Sequence, residues 1–143
     1  NVFIHLMTGV FLLGALTHHF WLVIRGEVVT YAKAVRRFSF WAVTSYLVCF
    51  IWGCFVYPYF RYYVRFLVQD KQAPWATGLF EIKEHWIAIG LAILPFYYLT
   101  SRAVKALDKR ELRLHQASVV GMNVVVWYSF LVGAVLVYLK GTW

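Results

Sequence analysis

Four long apolar runs, separated by short charged stretches, organise this chain. Asn1 to Ile24 contains no Asp, Glu, Lys or Arg, and the same is true of Phe38 to Phe60 and of Leu114 to Leu139. A fourth run, Leu79 to Thr100, carries Glu81, Lys83 and Glu84 in its first turns. Crossing a hydrocarbon core of ~30 Å takes about 20 apolar residues at 1.5 Å rise per residue. The pattern therefore predicts helical spans over about 2–24, 38–60, 80–100 and 115–139. The expected fold is all-α, an integral membrane antiparallel four-helix bundle forming a single domain over residues 1–143.

Composition agrees with this frame: 62% of the residues are hydrophobic, 20% aromatic and 14% charged, with a mean hydropathy of +0.65. Soluble domains carry about 25% charge. The net charge of +8 is not that of a nucleic-acid binder, which gathers its basic residues on a polar surface that most of this chain lacks. It reads instead as topology. Nine basic residues follow the first and third spans, namely Arg25, Lys33, Arg36, Arg37, Arg102, Lys105, Lys109, Arg110 and Arg113, against five elsewhere. The positive-inside rule puts the nine in the cytoplasm. The expected location is a bacterial inner membrane, crossed several times with both termini on the non-cytoplasmic side.

Trp and Tyr favour the headgroup level. Trp21, Tyr31, Trp41, Tyr97 and Tyr98 are expected near the cytoplasmic surface, with Tyr57, Tyr59, Tyr62, Tyr63, Trp75, Trp86 and Trp143 near the outer one. Trp52 and Trp127, within the spans, read as core packing. Asn1 is not a start methionine, so the first span is expected to follow a removed or unseen segment. Cys49 and Cys54 lie inside the second span and read as small apolar fillers. The segment Arg61 to Gly78 either extends the second span or lies flat in the interface, and Pro74 ends any helix before it.

The chain has no Gly-rich phosphate loop, Cys-x-x-Cys pair or Gly-x-Ser-x-Gly elbow. What remains is five histidines, and ionisable groups within spans are functional candidates by default. His5 and His19 are 14 positions apart, so they share a helix face and lie about 21 Å apart along it. Depth sorts the set into an outer layer, His5 with His85, and a cytoplasmic layer, His19 or His18 with His115. Each layer supplies two imidazoles from different helices, as six-coordinate haem b requires between helices of a bundle. One or two haems are expected, the first in the outer layer between His5 and His85 and the second between His19 and His115, with these four histidines as iron ligands. Glu81, Glu84 and His85 share one helix face. With Arg61 and Arg65 on the same side, they are candidates to anchor haem propionates, or for a carboxylate and His85 to take protons from a quinol; Glu81, Glu84 and Lys83 are the catalytic candidates. An ordinary helix start, with Glu favoured by the dipole, is the plainer account.

The His-bearing first helix, a basic loop ending in Arg36 and Arg37 before the second, Lys83 in Phe-Glu-Ile-Lys-Glu-His at the start of the third, and an Arg-rich loop before the fourth together resemble the CopD and HemJ-like group of small membrane proteins. In HemJ-type protoporphyrinogen oxidases a first-helix His and a third-helix Lys are tied to haem binding, and the matching positions are His5 and Lys83. The spacing on the first helix also resembles that of di-haem cytochromes of the b type. The leading expectation is a b-type cytochrome subunit of a larger respiratory or photosynthetic complex, an oxidoreductase subunit with other membrane proteins as partners and quinol as donor. The alternatives are a HemJ-like protoporphyrinogen oxidase and a cofactor-free structural subunit. Copper transport fits less well, because only Met7 and Met122 supply thioethers.

Overall fold

A computed structural model describes the backbone of residues 2–140 and the side chains of residues 3–66 and 70–138. Asn1 and Trp143, and the side chain of Lys140, lie outside the described residues. All regular structure among the described residues is helical: α1 (Val2–Ile24), α2 (Ala32–Tyr59), a π-helical continuation (Phe60–Gln69), the single turn α3 (Asp70–Gln72), α4 (Pro74–Ala103) and α5 (Lys109–Lys140). α2, α4 and α5 extend beyond the apolar runs while α1 keeps to its own, and two of the helix ends carry defined terminations. α1 stops at Gly26, whose φ of +68° suits a residue without a Cβ. Gly26 N–H bonds the Val23 carbonyl and Glu27 N–H bonds that of Leu22, the paired closure that satisfies helix-end carbonyls. α5 starts on a reciprocal cap in which Glu111 N–H donates to Asp108 Oδ1 at 2.7 Å and Asp108 N–H to Glu111 Oε2 at 2.9 Å.

Three helical stretches are long and apolar enough to cross a membrane: Phe3–Ile24, Ala32–Gln72 and Lys109–Tyr138. α4, expected as a span over about 80–100, is a 30-residue helix that falls short in apolarity. Glu81, Lys83, Glu84 and His85 in its first half, and Pro95, Tyr97 and Tyr98 in its second, dilute it. The segment after Tyr59 continues α2 directly rather than lying apart. Pro58 lacks the N–H that would bond one turn back, and the helix widens to π geometry just beyond it. Pro74 then occupies the first turn of α4, where no N–H is needed.

The four long helices pack as a ring, α1 against α2 and α5, and α4 against the same two. The central core joins Leu12, Leu16, Ala42, Leu94, Tyr97 and Met122. Its waist is at Gly90, where Tyr46 of α2 reaches in to donate its hydroxyl to the Ile87 carbonyl at 2.6 Å. A Cβ on Gly90 would overlap the Tyr46 hydroxyl and lie 2.9 Å from Val125 Cγ1, so α2, α4 and α5 meet this closely only because the position is glycine. Polarity runs opposite to that of a soluble bundle. His19, Ser39, Ser45, Ser101, His115, Ser118 and Asn123 are buried, while Phe3, Phe11, Phe40, Ile51, Phe55, Leu99 and Leu131 are exposed.

Tyr97, expected at the interface, is instead fully buried. Trp127 is exposed rather than in the core, and its indole N–H donates to Thr17 Oγ1 at 3.3 Å. Trp21, Tyr31 and Trp41 are exposed.

Candidate functional site

At the end of the bundle where α1 stops and α5 begins, His19 and His115 come together with ring centroids 5.3 Å apart and 40° between planes. Both side chains are completely buried. His19 Nδ1 lies 2.8 Å from Tyr97 Oη, and His115 Nδ1 lies 2.9 Å from Thr100 Oγ1. One helix, α4, thus supplies the partner of both rings from positions one turn apart. Neither Nε2 has a hydrogen-bond partner although both are buried. Buried polar nitrogens are nearly always satisfied, so two adjacent orphans mark a site.

His18, the other candidate at this depth, is exposed, and its Nδ1–H donates to the Gly14 carbonyl at 2.7 Å on its own helix. The ambiguity between neighbours resolves because successive helix positions differ by about 100° in direction. His19 takes the face that α5 covers. One turn away on each helix are Leu16 and Val119, both fully buried, and Met122 lies just beyond. Asn123 ties the same pair of helices, donating to the Leu16 carbonyl at 3.2 Å and the Val119 carbonyl at 2.9 Å.

The opposite end is different. His5 and His85 are not brought together. His85 is exposed and donates Nδ1–H to the Glu81 carbonyl of its own helix at 2.7 Å. The residue that α4 turns inward is Lys83, whose Nζ lies 5.9 Å from the centre of the Phe80 ring and would be 3.4 Å from a Cβ at Gly133. His5 packs instead on Cys49, with Nδ1 3.5 Å from Sγ, and its Cε1 would lie 3.5 Å from a Cβ at Gly53. Lys83 belongs to the electrostatic surroundings of both His5 and Cys49. Cys54 is exposed.

The two arginines part company. Arg65 binds Glu81 at 2.5 Å and approaches Asp70 at 3.8 Å. Arg61 lines a shallow groove with Tyr57, Pro58, Tyr62 and Phe66. Glu81 is exposed and shares a surface cluster with Arg65 and Asp70, and His85 is bonded to the Glu81 carbonyl; Glu84 is half-buried and interacts electrostatically with Lys83 instead. Sequence reasoning missed Tyr97 and Thr100 as imidazole partners. Their three-residue spacing on a helix is a signal, but only contact with α1 and α5 gives it meaning.

The His19 and His115 end brings together two imidazoles from different helices, each held through Nδ1 by a protein hydroxyl and each with Nε2 unpartnered, and an imidazole held in this way is the kind of donor that can ligate a metal. Among the described residues no cluster of three or more His, Cys, Asp or Glu side chains is arranged to hold a free metal ion. Compared with protein-family models, with curated proteins and with solved structures, the chain gives no match in any of the three.

Proposed function

We propose that the chain is an antiparallel transmembrane four-helix bundle that binds haem b through His19 and His115 and passes electrons within a larger respiratory or photosynthetic membrane complex, with quinol as the donor. The observation that supports this reading is the buried imidazole pair whose Nε2 atoms lack partners while both Nδ1 atoms are held by hydroxyls of α4. Bound haem supplies one-electron chemistry. The chain's own part is to hold the two rings from α1 and α5, to fix their orientation from α4, and to exclude water with Leu16, Val119 and Met122. The apolar exterior supports a lipid-facing bundle. The test is the absorption spectrum of purified, dithionite-reduced protein. A haem b α-band that disappears in His19→Ala and in His115→Ala supports the proposal; a parent protein without that band overturns it and leaves a cofactor-free structural subunit.

A second reading is favoured by one observation, the inward turn of Lys83 toward the end of the bundle that holds His5 and Cys49. Under it the protein is a HemJ-like porphyrinogen oxidase in which His5 and Lys83 matter more than His19 and His115. Rescue of a porphyrin-accumulating strain separates the two: loss of rescue in His5→Ala and Lys83→Met, with rescue retained in His115→Ala, selects the oxidase.

A further inference from the structure

The end of the bundle away from the histidine pair carries two arginines with different surroundings. Arg65 is held by Glu81 and Asp70, and Glu84 interacts electrostatically with Lys83. Among the described residues no carboxylate lies within ion-pair distance of Arg61, whose side chain is exposed. The sequence sets the depth of that unpaired guanidinium. The apolar run Phe38 to Phe60 ends on the residue before it, and a run of that length at 1.5 Å per residue matches a hydrocarbon core of ~30 Å. In a membrane Arg61 therefore stands at the level of the lipid phosphates. Its helix does not stop there, because the stretch Ala32–Gln72 runs for 41 residues, and its far end rises past the hydrocarbon.

The groove beside Arg61 is a product of the π winding. In an α-helix, residues five positions apart point about 140° apart, whereas bonds from i to i+5 bring them one above the other. Phe60–Gln69 is wound in this way, and Arg61 and Phe66 line one groove together with Tyr57, Pro58 and Tyr62. The Tyr62 and Phe66 rings stack, with centroids 6.4 Å apart and 19° between planes. The lining is thus aromatic and largely apolar apart from one guanidinium, a fork of donors that matches phosphate oxygens. We propose that this groove binds a single anionic phospholipid, its phosphate on Arg61 and an acyl chain along Tyr57, Pro58, Tyr62 and Phe66. Charge selects the headgroup. Arg61, Arg65 and Lys71 against Asp70 leave the segment from Phe60 to Gln72 positive, so an anionic headgroup is attracted where the ammonium of a zwitterionic one is repelled. The inference rests on the transmembrane reading above and not on haem.

The test places the purified protein in detergent micelles with equal amounts of phosphatidylglycerol and phosphatidylcholine of matched acyl chains, and reads the retained lipid by native mass spectrometry. The parent protein should keep phosphatidylglycerol in preference. Arg61→Ala should reduce that preference by about fivefold, the attraction that one basic side chain near an anionic surface supplies, and Arg61→Lys should keep most of it. Amide exchange over residues 57–66 should slow with phosphatidylglycerol in the parent and not in Arg61→Ala. Equal retention of both lipids by the parent would overturn the proposal, as would an unchanged preference in an Arg61→Ala protein of parental helicity. A preference lost in Arg37→Ala but kept in Arg61→Ala would move the lipid to the other end and reject the groove. Displacement by glycerol 3-phosphate would show a site for a soluble phosphate ester and reject the lipid. The haem band should be the same in Arg61→Ala as in the parent. Lipid held through Arg61 in a protein without a haem band would therefore leave this inference standing and remove the haem function, and a haem-binding protein indifferent to Arg61 would do the reverse. A chain released from the membrane fraction without detergent would remove both.

Discussion

The two ends of the bundle use histidine in opposite ways. At one end His19 and His115 are fully buried, each Nδ1 is held by a hydroxyl, and polar groups continue into the helix interface through Ser101, Ser118 and Asn123. At the other, His5 is half-buried, its ring rests on a thiol and on the bare face of Gly53, and the nearest cation is Lys83. Polar groups in an apolar bundle are costly unless partnered. A ring with one nitrogen satisfied and the other bare keeps a lone pair or hydrogen free for a further partner; the His5 ring lies against sulfur with the Lys83 ammonium in its electrostatic surroundings. Under the proposed function the first end carries the ligands.

The sharpest way to break that contrast is to remove the rings. His19→Ala and His115→Ala should each abolish the haem b band, while His5→Ala and His85→Ala should leave it within about twofold of the parent intensity, a range set by the tenfold or larger losses expected for true ligands and their supports. A band that survives in His115→Ala and vanishes in His5→Ala would exchange the roles of the two ends.

The waist between them is the next target. Gly90→Ala places a methyl against the Tyr46 hydroxyl and Val125, and helix backbones cannot easily part there. Overpacking of this kind costs about 1–3 kcal/mol, so the helical unfolding midpoint followed by circular dichroism in detergent should fall. Combining it with Tyr46→Phe should recover part of the loss, because the hydroxyl is the nearest obstacle. An unchanged midpoint in Gly90→Ala would mean that α4 does not approach α2 this closely.

Much of this frame was legible in the order of residues, and the reason differs by element. Unbroken apolar runs marked α1, α2 and α5, since nothing but burial or lipid accounts for them. α4 was legible as a helix but not as to its facing. Lys83 and His85 are two positions apart and so point about 200° apart around the axis; only the neighbours decide which enters, and Gly133 and Phe80 leave the room to Lys83. His18 and His19 posed the same problem in adjacent positions, and α5 settled it. Tyr97 read as an interfacial aromatic because Trp and Tyr gather at that depth, whereas its hydroxyl serves a buried imidazole. Helix periodicity tells which residues share a face. It does not tell which face the bundle closes over.

A smaller effect is expected where α5 begins. The reciprocal cap between Asp108 and Glu111 sits about two turns before His115 and satisfies amides that otherwise lack partners. Asp108→Ala should cost about 1 kcal/mol in the same melting experiment. It should also loosen the His19 and His115 end before the other end, visible as faster amide exchange in the first turns of α5 with that of α2 unchanged. Equal acceleration at both ends would show that the bundle opens as a unit and that the two ends are not separable.

The smallest change in stability is expected at Lys83, and it carries the most information about the second end. Among the described residues no carboxylate lies within ion-pair distance of its ammonium, which rests near Phe80 and Gly133. A linear thioether side chain fills similar space without charge. Lys83→Met removes a poorly solvated cation, which is a gain, together with the attraction of the ammonium to the Glu84 carboxylate and its contact with an aromatic face, which are losses, the aromatic contact worth about 0.5–2 kcal/mol. The melting midpoint should therefore stay near the parent value or rise, and the haem band at the His19 and His115 end should be untouched. A large fall in stability would show that Lys83 is held by an anionic partner in the folded protein, and would make the His5 end a structural ion site. Unchanged stability together with loss of activity in a porphyrin-accumulating strain would instead identify the ammonium as a functional group, because a charge kept in an apolar bundle without contributing to its stability is there for its chemistry.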